Sequence, residues 1–221
     1  MTTVLLLTIV FSVALAAGVQ KRDFLEAHNY FRAKENAKDM QELTWSRSLQ
    51  KKAADWADKC LWEHSPKSDR KFKSASTAGE NLFMSTAKDL NVTKAVNMWY
   101  NEKKYYSYKH NSCESGKKCG HYKQVVWSKS YKLGCAAKRC QPLYEGKTVV
   151  MNPKAWYIVC QYGPGVLKGV KPYTKGIRCS RCPNDTTCDS RKLCVISDKR
   201  RELQLLLEAF NKDFEENITE E

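Results

Sequence analysis

The 221-residue sequence has no cysteine before residue 60, only four histidines, and no charged side chain in its first twenty positions. It also lacks internal repeats, low-complexity tracts and any Gly-x-Ser-x-Gly nucleophile elbow. Each absence narrows the reading. Without repeats, a solenoid or propeller is excluded, and without the elbow no serine is placed as a strained hydrolase nucleophile. The uncharged opening carries one apolar run, Val4 to Ala17, broken only by Thr8 and Ser12. It is too short to span a bilayer comfortably. It ends in Ala14-Leu15-Ala16, the small-residue pattern of a secretory signal, which we place at residues 1–18.

What is present agrees with an oxidising, extracellular setting. The ten cysteines are even in number, and Asn-x-Thr sequons stand at Asn91, Asn184 and Asn217. With 42% apolar and 11% aromatic residues the chain can build one sizeable core. The net charge of +14 is uneven. From Glu202 onward seven acids against Lys212 leave −6, so residues 21–201 carry +20. Such a field favours acidic extracellular partners, sulfated glycans or anionic lipid surfaces, and a secreted chain excludes nucleic acid.

Apolar spacing predicts three helices: Phe24, Ala27, His28 and Phe31 on one face; Leu49, Lys52, Ala53, Trp56 and Cys60 on another; and Val92, Val96, Trp99 and Tyr106 on a third. The segments "KLGCAAKRC" and "AWYIVCQYG" are short, apolar and bounded like buried strands. The expectation is an α+β fold, helical in its first half and stranded in its second. Four cysteines in "CSRCPNDTTCDSRKLC" mark a module too small to hold a core without its own bridges. The last segment, residues 195–221, sets Leu203, Leu206, Leu207, Phe210 and Phe214 at helical spacing. It reads as a short acidic amphipathic helix with too many acids to cross a membrane, so a soluble form is expected.

The chemistry rests on few residues. His64 closes "CLWEH", Glu80 lies in "AGENL", Glu102 follows an aromatic pair in "MWYNE", and His121 opens "HYKQVVW". Taken singly, Glu80 reads as a helix cap, Glu102 as a solvated helix face and His121 as a core histidine. Two imidazoles and two carboxylates together form a set that a divalent transition metal accepts.

In their order and spacing, "HNYFR" (28–32), "CLWEH" (60–64), "GEN" (79–81), "WYNE" (99–102), "GHYKQVVWSKS" (120–130), "LGCA" (133–136) and "YIVCQYGP" (157–164) resemble the CAP superfamily of cysteine-rich secretory proteins, antigen 5 and pathogenesis-related 1 proteins. The resemblance implies an α-β-α sandwich with a central antiparallel sheet over residues 21–167, and a cysteine-rich hinge over 168–194 like that of the glioma pathogenesis-related protein 1-like branch. It implies a cleft tetrad of His64, Glu80, Glu102 and His121, with His64 and His121 able to share a weakly held zinc or similar ion. His28 is then structural, and His110 has no role. It further implies the disulfides Cys60–Cys140, Cys135–Cys160, Cys113–Cys119, Cys179–Cys188 and Cys182–Cys194. Lys123 after "GHY" and "PGVL" (164–167) after the last core strand depart from the family pattern. The expected function is a non-enzymatic secreted binding protein for a sterol or other lipid, or for an extracellular receptor. A metal-dependent hydrolase or protease and an ion-channel-directed ligand are the alternatives.

Overall fold

The computed structural model describes residues 21–73 and 76–197. The signal segment, Asn217 and the acidic tail helix expected from the sequence lie outside the described residues. Four strands form the central sheet: β1 (Thr44–Trp45), β2 (Gly79–Ser85), β3 (Lys132–Cys140) and β4 (Ala155–Gly163). They lie in the order β1-β3-β4-β2, antiparallel except for the short parallel pair of β1 with β3. Among the described residues four α-helices cover the sheet: α1 (residues 21–33), α2 (Arg47–Ala57), α3 (Val92–Asn101) and α4 (Gly120–Val125).

Strand alternation splits the core into two layers, because successive side chains point to opposite faces. Ile158, Cys160 and Tyr162 pack with Phe24, Ala27 and Phe31 of α1, Val96 and Trp99 of α3, and Tyr122 and Val125 of α4. Tyr157 and Val159 pack with Ala53, Trp56 and Ala57 of α2. The result is the α-β-α sandwich. One expectation is corrected: the split into a helical first half and a stranded second half fails. "GENLFMS" supplies an edge strand, and "GHYKQV" turns back into a helix. Glu80 is therefore a strand residue and not a helix cap.

Helix starts follow from capping. The Ser46 side chain accepts from Leu49 N at the start of α2, and Asn91 Oδ1 accepts from Lys94 N at 2.7 Å at the start of α3. Helix α2 and the sheet meet backbone to backbone at Gly134 of β3. A Cβ there would lie 2.1 Å from Gln50 N and 2.5 Å from Leu49 C, both backbone atoms of α2. Gly134→Ala is accordingly expected to cost about 1–3 kcal/mol or more, since neither backbone can yield cheaply. Chemical denaturation showing wild-type stability would disprove this close contact.

Five disulfides join Cys60 to Cys140, Cys113 to Cys119, Cys135 to Cys160, Cys179 to Cys188 and Cys182 to Cys194. These are the pairs the resemblance implies, and no described cysteine is free. The third bridges directly opposed residues of β3 and β4. The cysteine-rich module is not held by its bridges alone. Tyr173 and Leu193 enter the main core, and Cys194 N donates to Met40 O at 2.8 Å. Tyr173 Oη also donates to the buried Glu35 at 2.8 Å, and Lys103 Nζ stands 2.9 Å from the same carboxylate.

Candidate functional site

Edge strand β2 organises the site. Its residues Glu80 and Asn81 are neighbours and so point to opposite faces of the sheet. Glu80 lies opposite Gln161 and Asn81 opposite Cys160 in the register with β4. Each of the two β2 residues serves one histidine.

On the α2 face, Glu80 is buried and fully partnered. Oε1 accepts from His64 Nδ1 at 2.8 Å and Ser65 N at 3.0 Å, and Oε2 from Ser65 Oγ at 2.6 Å and Gln161 Nε2 at 3.1 Å. Burial pushes the Glu80 carboxyl up, but the hydrogen bonds from His64, Ser65 and Gln161 outweigh it and hold the group below the usual carboxylate range. Glu80 is thus an anion at neutral pH and orients His64, whose side chain is 55% exposed.

On the other face, Glu102 follows α3. Its Oε1 accepts from His121 Nδ1 at 2.7 Å, and its Oε2 from the backbone N–H groups of His121 and Tyr122 at 3.0 and 3.2 Å. Those two amides belong to the first turn of α4, whose N–H groups have no intrahelical acceptor. Glu102 therefore does two jobs, capping α4 and fixing the His121 ring. Trp99 stacks on that ring at 6.3 Å between centroids and donates its indole N–H to Leu82 O. Asn81 Nδ2 donates to His121 O at 3.2 Å, tying the helix start to β2. The Cys113–Cys119 bridge closes the loop that leads into α4.

All four sequence-nominated residues thus sit around the first two side chains of one edge strand, as two His–Glu pairs straddling it. In each pair the carboxylate engages Nδ1. In a neutral imidazole, an Nδ1–H donated to the carboxylate leaves the Nε2 lone pair free, the arrangement by which carboxylates prepare imidazoles for a metal. The carboxylates are occupied in that task. Among the described residues no three of the tetrad's ligand atoms lie within 4.8 Å of one another. The tetrad is therefore not a closed four-ligand structural site. Cys179, Cys182 and Cys194 do cluster within that distance, but as members of two disulfides they offer no thiolate.

The sequence reading missed Ser65, Gln161, Asn81 and Trp99 as the residues that hold the tetrad in place. Ser65 follows His64 directly, and Asn81 completes "GEN", so both were within motifs already noted. Gln161 faces Glu80 only through strand register, which the sequence does not display. Lys123 Nζ donates to Asn111 Oδ1 at 3.1 Å and stands over the Tyr106 ring. His28 is buried between Phe24 O and Tyr162 Oη, a structural role, and His110 is exposed.

The family model described as "CAP: Cysteine-rich secretory protein family" matches residues 25–162. GLIPR1-like protein 1 of Bos taurus is 39% identical over 176 residues, covering 77% of this chain and 68% of that protein. Peptidase inhibitor 16 of Mus musculus is 36% identical over 178 residues, but the chain spans only 33% of its length. Among solved structures, that of NaASP2 with Zn2+ is 27% identical, with a TM-score of 0.60 over 79% of this chain and 94% of its own.

Proposed function

The chain belongs to the cysteine-rich secretory protein (CAP) family, and on that premise we propose that it is a secreted, non-enzymatic binding protein in which His64 and His121 hold one divalent ion, with zinc the best fit. The observation that carries this reading is the pair of Nδ1–carboxylate bonds, which leaves one free Nε2 on each imidazole. The zinc-bound relative adds a precedent for a metal within the fold. When bound, the ion supplies a Lewis-acidic, exchangeable coordination position. The residues of this chain orient the imidazoles, and the hydrogen bonds to Glu80 keep that carboxylate ionised.

The bound partner is a sterol or other lipid, or an extracellular receptor. A hollow of about 660 Å³ between α1 and β1, lined by Leu25, Leu43 and Trp45 together with the ion pairs Arg22–Glu26 and Arg191–Glu42, is of a size suited to a small molecule. Asn91 and Asn184 are exposed and open to glycosylation. A hydrolytic reading finds no support in the hydrogen bonds. Ser65 donates to Glu80, Ser128 to Asp39 and Ser130 to Pro164 O, so none of these three serines passes its proton to a histidine. None of the described helices is long and apolar enough to cross a membrane.

Isothermal calorimetry tests the metal site. Zinc should bind one to one, with Zn–N distances of about 2.0–2.1 Å by X-ray absorption. Either His64→Ala or His121→Ala should abolish binding, and unchanged zinc affinity in the double variant would sink the assignment. Chelation should lower the melting temperature only slightly, because the disulfides and core hold the fold without metal. Lipid analysis of protein purified from eukaryotic secretion separates the lipid from the receptor reading.

A further inference from the structure

Among the described residues six large apolar or aromatic side chains are exposed, and three of them, Leu167 (57%), Val170 (41%) and Ile177 (81%), fall within eleven consecutive positions. Each is followed directly by a cation: Lys168, Lys171 and Arg178. Lys175 adds a fourth, and no Asp or Glu occurs between Glu145 and Asp185. Scattered exposed hydrophobics need no explanation, but a cluster interleaved with cations on an acid-free segment does.

The segment is fixed, so it cannot fold its apolar side chains inward. Pro172 and Tyr173 are buried at its middle, the latter in the core. Lys171 Nζ and Lys175 Nζ both stand over the Tyr108 ring, at 4.9 and 5.9 Å. Gly169 O accepts from Asn111 Nδ2 at 2.8 Å, and Arg178 Nη1 donates to Ala33 O at 3.1 Å. The loop after residue 178 is closed by the Cys179–Cys188 bridge. On either side of the Pro172–Tyr173 tether, residues 167–171 and the pair Ile177–Arg178 are held outward.

We propose that the segment from Leu167 to Arg178 is a docking surface for an anionic phospholipid bilayer, with Leu167, Val170 and Ile177 entering the headgroup–acyl boundary while Lys168, Lys171, Lys175 and Arg178 meet lipid phosphates and carboxylates. The mixture of side chains selects this occupant. A sulfated polysaccharide would use the cations but gain nothing from three exposed aliphatic side chains, whereas an interfacial bilayer site uses both. This surface is independent of the His64–His121 metal site and of any lipid held inside the fold, so failure of one leaves the other standing.

Vesicle co-sedimentation of the full mature chain tests it, with phosphatidylcholine alone or phosphatidylcholine containing phosphatidylserine. Binding should require phosphatidylserine and weaken with salt. Each cation replaced by Gln should lower partitioning about fivefold. The triple variant Leu167→Ser, Val170→Ser, Ile177→Ser, which keeps every charge, should lose on the order of tenfold or more while melting like the wild type. Equal binding to both vesicle types, or no loss in the triple variant, would overturn the proposal. So would retention on heparin by a chain that ignores the vesicles, which would assign the surface to a glycan.

Discussion

Replacing Arg32 by lysine is expected to destabilise the protein by on the order of 4 kcal/mol, about 10 °C in melting temperature for a chain of this size. Arg32 has no exposed surface, yet it meets four backbone carbonyls. Nη1 donates to Val125 O and Trp127 O at 2.9 Å each, Nη2 to Gln41 O at 2.6 Å and Ser130 O at 2.9 Å, and Nε again to Gln41 O at 3.0 Å. Burial lowers the guanidinium to about 9, still high enough to keep it charged at neutral pH. The carbonyls belong to the chain leaving α4 and to the segment between α1 and β1, so one side chain pins two irregular stretches to α1. Lysine keeps the charge but not the planar fork, and cannot reach carbonyls on several sides at once. Trp127 O keeps Ser130 N as a donor, but whichever of the Gln41, Val125 and Ser130 carbonyls the ammonium fails to reach would lose the guanidinium N–H while buried, at roughly 1–3 kcal/mol each. A lysine variant that melted like the wild type would show that the charge alone matters, and not the fork.

Arg32 also marks where sequence reasoning stops. It ends "HNYFR", and the motif helped to identify the family, but nothing in its spacing says that the guanidinium serves backbone far away in sequence. Periodicity did find the apolar faces: Phe24, Ala27 and Phe31 lie in the core, as do Leu49 and Trp56, and Val96 and Trp99. Both β3 and β4 coincide with the short apolar segments read as strands. What periodicity could not find was β2. Its "GENLFMS" mixes polar and apolar residues, because Glu80 and Asn81 are buried for their hydrogen bonds and not for their hydrophobicity. The short α4 was hidden in the same way, since its stability comes from Glu102 at its N-terminus and from packing rather than from an amphipathic pattern. The four site residues were therefore nameable from motif resemblance. Their pairing across the two faces of an edge strand was not, because register is a tertiary fact. Glu35 was missed for a similar reason: one acid among several near α1 gave no sign that it would be buried against Tyr173 and Lys103.

The second large effect is a loss of stability in acid that centres on His28. Burial lowers this imidazole from its ordinary 6.5 to about 4, the Phe24 carbonyl opposing the shift only in part. The folded state therefore holds His28 neutral, with Nδ1–H donating to Phe24 O at 2.7 Å and Nε2 accepting from Tyr162 Oη at 2.8 Å. Between about pH 6.5 and 4 the unfolded chain binds a proton that the folded chain refuses, so stability is full above that window and falls as pH is lowered through it. The shift corresponds to about 3 kcal/mol lost by pH 4, after which this group adds no further slope. Glu80, held low by its own hydrogen bonds, loses stability in the same direction, so the His28 share must be isolated by difference. His28→Gln cannot ionise. Its stability at neutral pH will be lower than wild type for packing reasons, but its dependence on pH between 6.5 and 4 should be shallower by about 3 kcal/mol in total. The consequence extends to the site. Tyr162 Oη, which donates to His28, also accepts from Asn81 Nδ2, and Asn81 holds His121 O at the start of α4. A protonated His28 would present an N–H to Tyr162 where the hydroxyl now donates, leaving that hydroxyl hydrogen without its acceptor. Denaturant unfolding of the two proteins across this range is the deciding measurement, and parallel pH profiles would show that the buried imidazole is not what the folded state defends against acid.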